Sequence, residues 1–437
     1  MVNGIYSFYE KKSRKRDIKT PINNIYLRFN MLIQFSVENF QSIKDKICLD
    51  MRTLGNLKEH NDSIIDGKYL PIAAVYGPNG GGKTTVLRAF YSLCSFIQDS
   101  ISSLERGANM RNTVLYPHPF LLDMESKNKP TIFEVLIQIG PSIFRLYMEC
   151  LQNKILFETL QEKKQRGKPS TLYEREGSTL SFGEKLSQLP KIPAIAEEMP
   201  ALSYIKHLFG VSPIKEVFNW FAGCYRIDYG IPAIEEAIKR AIVLVNMEPS
   251  LKEDMKKMMS YLNLDIDDFK IITDTPDSKQ LQISTYHKIK ENLYEFDLQM
   301  ESSGTQKLFY LLPLVIVSLS RGNVLIVDEL DAKLHPKMLE RIIKLYTDKR
   351  NNLKGAQLIF TSHDLSTMNN KVFRRDEIWF AAKDDKESTQ LYSLADIKEE
   401  NGERIRTDAA YNKQYLEGRY GADPYFKNIN AWGKENE

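Results

Sequence analysis

The sequence predicts an α/β fold, with an antiparallel β subdomain and an inserted helical subdomain, on three observations. Tyr76 to Thr85 reads Tyr-Gly-Pro-Asn-Gly-Gly-Gly-Lys-Thr-Thr, between a short apolar run and a stretch with apolar residues at helical spacing. Residues 324–329 put Val324, Leu325, Ile326 and Val327 directly before the acids Asp328 and Glu329, the pattern of a buried strand ending in carboxylates. Residues 131–139, 144–149 and 154–158 alternate as a strand meander, and past residue 163 the pattern turns helical.

Along the chain, residues 1–30 hold seven Lys or Arg and two acids, a balance of +5 that leaves −2 for the other 407 residues out of a total of +3. Lys11-Lys12-Ser13-Arg14-Lys15-Arg16 suits nucleic acid or anionic lipid, but a disordered leader, or an upstream start codon, explains it as well, because Met31 opens a strand pattern. The leader has no apolar core of a secretory signal. Residues 31–162 form the first part of the domain: strands near 31–40, 46–51 and 70–76, the glycine-rich turn, a helix from Thr84, a polar break at 106–112, then the meander. Residues 163–268 are expected to be the helical insert, with helices near 203–208, 214–222, 231–246 and 251–262. Residues 269–437 return to strands near 269–273, 280–286 and 293–298, an apolar helix at 308–320, buried strands at 324–329 and 357–364, and strand-like runs at 375–381 and 390–394.

Composition narrows the function. Apolar content of 42% and charged content of 27% are those of a globular chain. The longest apolar run, 308–319, contains Pro313 and is too short to cross a bilayer, so a membrane role is not expected. Cys48, Cys94, Cys150 and Cys224 are scattered with no C-x-x-C pair, which suits a reducing cytoplasm.

Gly77 to Thr84 satisfies G-x-x-x-x-G-K-[ST] in full, with strand before and helix after. Backbone N–H groups of such a loop close round phosphates at a helix N-terminus, which carries a partial positive charge. The expected nucleotide contacts are Asn79, Gly80, Gly82, Lys83, Thr84 and Thr85, with Lys83 on the β- and γ-phosphates of ATP and Thr84 on Mg2+. Asp328 is expected to hold the Mg2+ shell, and Glu329 to act as general base on the attacking water. His363, in Thr361-Ser362-His363-Asp364 at the end of a third buried strand, is placed either to reach the γ-phosphate or the water, or to serve a structural role. Asp384 and Asp385, in Lys-Asp-Asp-Lys-Glu-Ser, read as a charged hairpin loop rather than a metal site.

The order of these motifs resembles the ABC-type ATPase heads of the SMC, RecF and OLD-like group. Gly77 to Thr84 matches the P-loop, Ser302-Ser303-Gly304 the signature, Val324 to Glu329 the Walker B strand, Leu330-Asp331-Ala332 the D-loop and His363 the switch histidine. The resemblance implies two heads that sandwich two ATP molecules as a homodimer or higher homo-oligomer. Ser302 by its side chain and Gly304 by its backbone would contact the γ-phosphate held by the opposite P-loop, beside Ser303, and Asp331 would cross the interface. Ser303 stands where the family has glycine, and Gln98 and Gln138 are the two candidates for the Q-loop glutamine. Glu-Leu-Asp-Ala-Lys-Leu-His-Pro at 329–336 and the tail motif at 415–425 are similar to prokaryotic stand-alone AAA-family ATPases, namely the abortive-infection AbiL-type ATPases and the AriA ATPase of PARIS anti-phage systems. His335 and Pro336 belong to that narrower pattern, with a loop-fixing role as likely as chemistry.

Three functions are compatible with this reading: an anti-phage ATPase that senses a phage protein and holds or releases a separately encoded nuclease or toxin; a DNA repair or recombination ATPase whose closed dimer clamps DNA; and a scaffold in which ATP is only glue. Pro190, Pro193, Pro200, Pro213, Pro232 and Pro249 interrupt the insert, which excludes a long coiled-coil arm. The 74 residues after His363 finish a sheet and leave an effector to act in trans. The acidic balance past residue 30 gives DNA no broad attraction, although a local basic face stays open. The family likeness puts the defence reading first.

Overall fold

The computed structural model describes residues 29–55, 57–105, 118–165, 167–228, 245, 249–272, 282–399 and 402–422. The basic leader to residue 28, the polar break at 106–112, the helix expected near 231–246 except for Val245, and the end of the tail motif at 423–425 lie outside the described residues.

Strands β1 (Asn30–Glu38) and β2 (Ile47–Asp50) precede β3 (Ile72–Tyr76) and the helix α1 (Lys83–Glu105). The meander is β4 (Thr131–Ile139), β5 (Ser142–Leu151) and β6 (Lys154–Lys164), with alternating burial along β4 and β5. One face packs on α1 while the other meets water, as period-2 alternation requires. Two further strands, β7 (Ser170–Glu176) and β8 (Thr179–Phe182), extend this antiparallel sheet to seven strands ordered β2-β1-β4-β5-β6-β7-β8.

Those two strands correct the sequence reading of 163–268, only part of which is helical. The alternation of β7 is hidden because its inward positions include Arg175, which is fully buried. Its guanidinium donates to Gly177 O at 2.7 Å, to Ala196 O at 2.9 Å and to Met199 O, and lies 3.9 Å from Glu158. Glu158 in turn accepts the N–H groups of Ala201 (2.7 Å) and Leu202 (3.0 Å), which begin α2 (Ala201–Phe209). A carboxylate from across the sheet thus serves the orphan donors that Pro200, at the N-cap, cannot.

Helices α2 and α3 (Ile214–Ala222) lie on α1 instead of projecting from it. Ser203 Oγ donates to Ile97 O at 2.7 Å, and the Phe90 ring stands 4.9 Å from Phe35 and 6.4 Å from Trp220. They form a wall of the core that α1 shares with the antiparallel sheet.

The chain then makes β9 (Tyr225–Asp228), α4 (Pro249–Tyr261) and a three-stranded antiparallel sheet of β10 (Asp268–Ile272), β11 (Gln282–Ile289) and β12 (Asn292–Asp297). There follow α5 (Ser303–Arg321), β13 (Val324–Asp328), α6 (Pro336–Thr347), β14 (Gln357–Thr361), β15 (Ile378–Lys383), β16 (Thr389–Ser393) and α7 (Tyr411–Leu416). The central sheet runs β16-β15-β3-β14-β13-β9, with β15, β3, β14, β13 and β9 parallel and β16 antiparallel at the edge. Every residue of β3, β13 and β14 is buried, because helices cover both faces. Ala73, Val75, Ile326 and Ile359 face the core round α1, while Leu325, Val327, Leu358 and Phe360 face the core round α5 and α6. Parallel strands end on the same edge of the sheet, so the segments after β3, β13 and β14 meet there.

The segment leading into β15 is tied by buried charge. Arg374 donates to Asp376 at 2.8 and 3.0 Å, and Arg375 to Glu59 at 2.7 Å. Glu377 accepts the Arg374 N–H at 2.9 Å through one oxygen, while its other oxygen has no partner among the described residues. Burial pushes the Glu377 pKa up to about 8, so folding takes up a proton there between about 4.5 and 8. The folded pKa lies above the unfolded one, so this contribution is intact below 4.5 and is lost as pH rises through 8. Glu377→Gln keeps the shape without ionising. It is expected to remove a slope of up to about 1.4 kcal/mol per pH unit across that window, read from denaturation midpoints against pH.

Candidate functional site

The phosphate cradle forms where β3 ends. Gly77 has φ +146°, and a Cβ there would come within 2.1 Å of Ala381 O; Gly82 has φ +100°, and a Cβ would meet Thr389 Oγ1 at 2.1 Å. The loop is therefore pressed onto β15 and β16 so closely that only glycine fits these positions. The α1 helix begins at Lys83 and points its N-terminus into the loop. Lys83 Nζ donates to Gly77 O at 2.8 Å and Pro78 O at 3.0 Å, holding the loop shut over its own ammonium. Burial lowers the Lys83 pKa to about 8, with the carboxylates of Asp328, Asp331 and Glu329 pulling the other way.

Asp328 closes β13 and is 3% exposed. Its Oδ1 accepts the Thr361 hydroxyl at 2.5 Å, and Thr361 Oγ1 accepts the Glu329 N–H at 2.7 Å, so one threonine at the end of β14 fixes both acids. Glu329 sits at φ +54°, a left-handed conformation that a non-glycine residue holds only under constraint. The His363 N–H donates to Asp331 Oδ2 at 3.0 Å. Burial first, and the Lys83 cation second, lower the His363 pKa against the three carboxylates nearby, which favours the neutral imidazole.

These groups line one cavity of about 310 Å³, which includes Asn79, Gly80, Gly82, Lys83, Thr84, Thr85, Asp328, Glu329 and His363 together with Ser42, Thr361 and Lys383. A larger neighbouring cavity of about 560 Å³ shares Pro78, Asn79 and His363 but is walled by Tyr415 to Gly418. The chemistry selects the smaller one, because only it holds the lysine, the hydroxyls and the acids together. The donor set fits a nucleoside triphosphate with a hard divalent cation: loop amides and an ammonium for phosphate oxygens, and the Thr84 hydroxyl with the Asp328 carboxylate for the ion. Among the described residues no group of three or more His, Cys, Asp or Glu gathers into a metal cage, and Mg2+ shared with phosphates requires none.

The family comparison agrees with this site. The model for the family described as "AAA domain, putative AbiEii toxin, Type IV TA system" matches residues 72–207 and 231–369, more than half the chain. The chain belongs to this AAA family. No curated protein matches it. Among solved structures it is similar to the SMC head domain from Thermotoga maritima (13% identity, 83% of this chain and 98% of that one, TM-score 0.38). It is also similar to the Smc head domain with an extended coiled coil bound to the C-terminal domain of ScpA, derived from Pyrococcus furiosus (11%, 83% and 96%, TM-score 0.39). A third is the recombination mediator protein RecF-ATPrS in the RecFOR pathway (13%, 83% and 98%, TM-score 0.32).

The chain does not bring every residue singled out in its sequence to this cavity. Ser302 caps α5, its Oγ accepting the Thr305 N–H at 3.1 Å, and Ser302 and Ser303 are exposed, outside the lining of the cavity. A Cβ on Gly304 would meet Lys333 O at 2.8 Å, so glycine is needed there for packing within the chain. Asp331, expected to cross to a second copy, is engaged at its own His363 amide through one oxygen, and its other oxygen has no partner among the described residues. The Q-loop candidates fail: Gln98 Nε2 donates to Phe221 O at 2.6 Å and Gln138 Nε2 to Gly140 O at 3.1 Å, and neither lines the cavity. His335 caps α6, its Nδ1 accepting the Lys337 N–H at 3.2 Å, the loop-fixing role. Asp384 accepts the N–H groups of Lys386 and Ser388 at 2.9 Å each, as a hairpin loop does.

Sequence reasoning passed over Thr361, Ser42 and Thr389. Ser42 Oγ lies 3.1 Å from Thr85 Oγ1 and 2.8 Å from Thr389 Oγ1, joining the antiparallel sheet, the P-loop helix and β16. Thr361 had a signal, a hydroxyl at the last position of a buried strand; Ser42 and Thr389 had none, since long-range contact alone places them.

Proposed function

We propose that this chain hydrolyses ATP as an ABC-type switch whose closed form, made with a second copy, controls a separately encoded toxin or nuclease in anti-phage defence. The observation that carries the reading is the convergence of Lys83, Thr84, Asp328, Glu329 and His363 on one sheet edge, while Ser302 and Ser303 face solvent at the start of a 19-residue helix. A helix N-terminus with exposed hydroxyls suits a phosphate, and a second copy would supply it.

In the reaction, Lys83 leaves its loop carbonyls for the β- and γ-phosphate oxygens, and Asn79 and the loop amides orient the chain of phosphates. Mg2+, held by Thr84 and Asp328, would neutralise charge on the phosphate oxygens. The Glu329 carboxylate accepts a proton from a water whose oxygen attacks the γ-phosphorus; the bond to the β-phosphate oxygen breaks, giving ADP and phosphate. His363 accepts or donates a hydrogen bond at the γ-phosphate. Ser302 and Gly304 of the second copy would close over that phosphate, so hydrolysis at Glu329 limits how long closure lasts.

The family description, with its AAA domain, toxin and type IV toxin–antitoxin system, supports the defence setting. A phage protein is the proposed trigger. Tagged Glu329→Gln protein, drawn with ATP from the native host against Lys83→Ala as control, tests this by mass spectrometry. Retention of a nuclease or toxin from an adjacent gene by the first variant alone is the expected result. Recovery of only DNA and repair factors contradicts effector control.

A further inference from the structure

Lys307 lies in the first turns of α5 and is 5% exposed, a cation buried at the head of an otherwise apolar helix. Its ammonium donates to three backbone carbonyls of one turn: Glu329 O at 2.7 Å, Leu330 O at 2.9 Å and Ala332 O at 2.8 Å. Three N–H donors thus meet three acceptors, all on the turn that follows the Walker B strand. That turn opens with Glu329 at φ +54° and ends with Lys333 at φ +63°. Left-handed residues of this kind persist only where the surroundings hold them. Thr361 holds the Glu329 N–H and Lys307 holds its C=O, so the backbone on both sides of the carboxylate is clamped. The first turn of α5 is also pressed on the same segment at Gly304, where a Cβ would come within 2.8 Å of Lys333 O.

We infer that Lys307 is a positioning residue for ATP hydrolysis: by gripping the 329–332 turn it aims the Glu329 carboxylate at the attacking water, and it links that aim to the helix that begins at Ser303. The inference rests on the reading of Glu329 as the base. An ammonium suits the task because its three N–H groups radiate from one atom and so form a compact three-way donor for the carbonyls of a single turn. Burial lowers the Lys307 pKa to about 7, against the pull of Asp331 and Glu329.

The test is a double-mutant cycle on the full chain, with Lys307→Met and Lys307→Gln each placed on the parent and on the Glu329→Gln background. ATP affinity is read with a fluorescent ATP analogue and turnover in single-turnover reactions, below the lowest melting midpoint of the set. A misplaced base costs about a hundredfold in turnover. That loss is expected on the parent background with affinity changed less than about threefold, and less than about threefold further loss is expected on Glu329→Gln, since residues that act as a unit are not additive. Equal fold losses on the two backgrounds, or a loss confined to affinity, overturn the inference. Should both Lys307 variants fail to fold, the lysine is a structural support and the inference also fails. Parent-like turnover by Glu329→Gln itself instead removes the base assignment, a separate failure visible in the same data.

Discussion

Lys83→Ala is expected to weaken ATP binding by roughly a hundredfold or more, because charge-assisted bonds from one ammonium to two phosphates are worth about 1.5–3 kcal/mol each. The fold is expected to survive. Among the described residues Lys83 donates to the Gly77 and Pro78 carbonyls of its own loop, and removing it also relieves the burial that lowers its pKa to about 8. The melting midpoint without nucleotide should therefore change little, while the gain on adding ATP, about 2.7 kcal/mol at a hundredfold excess over Kd for the parent, should fall to about 0.4 kcal/mol or less. Calorimetric titration together with thermal melting checks both halves. ATP stabilisation equal to that of the parent would remove Lys83 from the binding site.

Glu329→Gln is expected to lower turnover by about 10²–10⁴-fold, the usual contribution of a positioned general base, with ATP affinity unchanged. The amide keeps the volume but cannot take the water's proton. The backbone contacts made by Thr361 and Lys307 at this residue do not involve its side chain, so the left-handed turn should persist. Nucleotide then stays bound and unhydrolysed. Single-turnover assays on the variant, with Kd measured in parallel, separate the base from a residue that only binds.

The parts legible in the sequence are those whose cause is local. The P-loop announces itself because a glycine-rich turn, a lysine and a threonine must be adjacent to cradle phosphate, and β13 because a strand covered on both faces is an unbroken apolar run. The meander follows from alternation that β4 and β5 carry residue by residue. What stayed hidden is what distant residues decide. β7 escapes because Arg175 occupies an inward position, paired with Glu158 and three carbonyls that the sequence does not place beside it. β9 has only four residues and gains its strand form from pairing with β13. Asp331 fits a family motif, yet its nearest donor is the backbone of His363. Lys307 reads as the last polar residue before the apolar run at 308–319, and nothing in its neighbourhood reveals the turn twenty-two residues on that it holds.

Closure of two copies over ATP is the claim on which the switch depends, and solution mass tests it most directly. Light scattering on Glu329→Gln should give 50.6 kDa without nucleotide and twice that with ATP and Mg2+. The doubling should be lost in Ser302→Arg, which blocks the exposed head of α5 but leaves the chain's own cavity intact. A mass that ATP leaves unchanged in Glu329→Gln, with ATP shown to be bound, contradicts the sandwich and with it the switch.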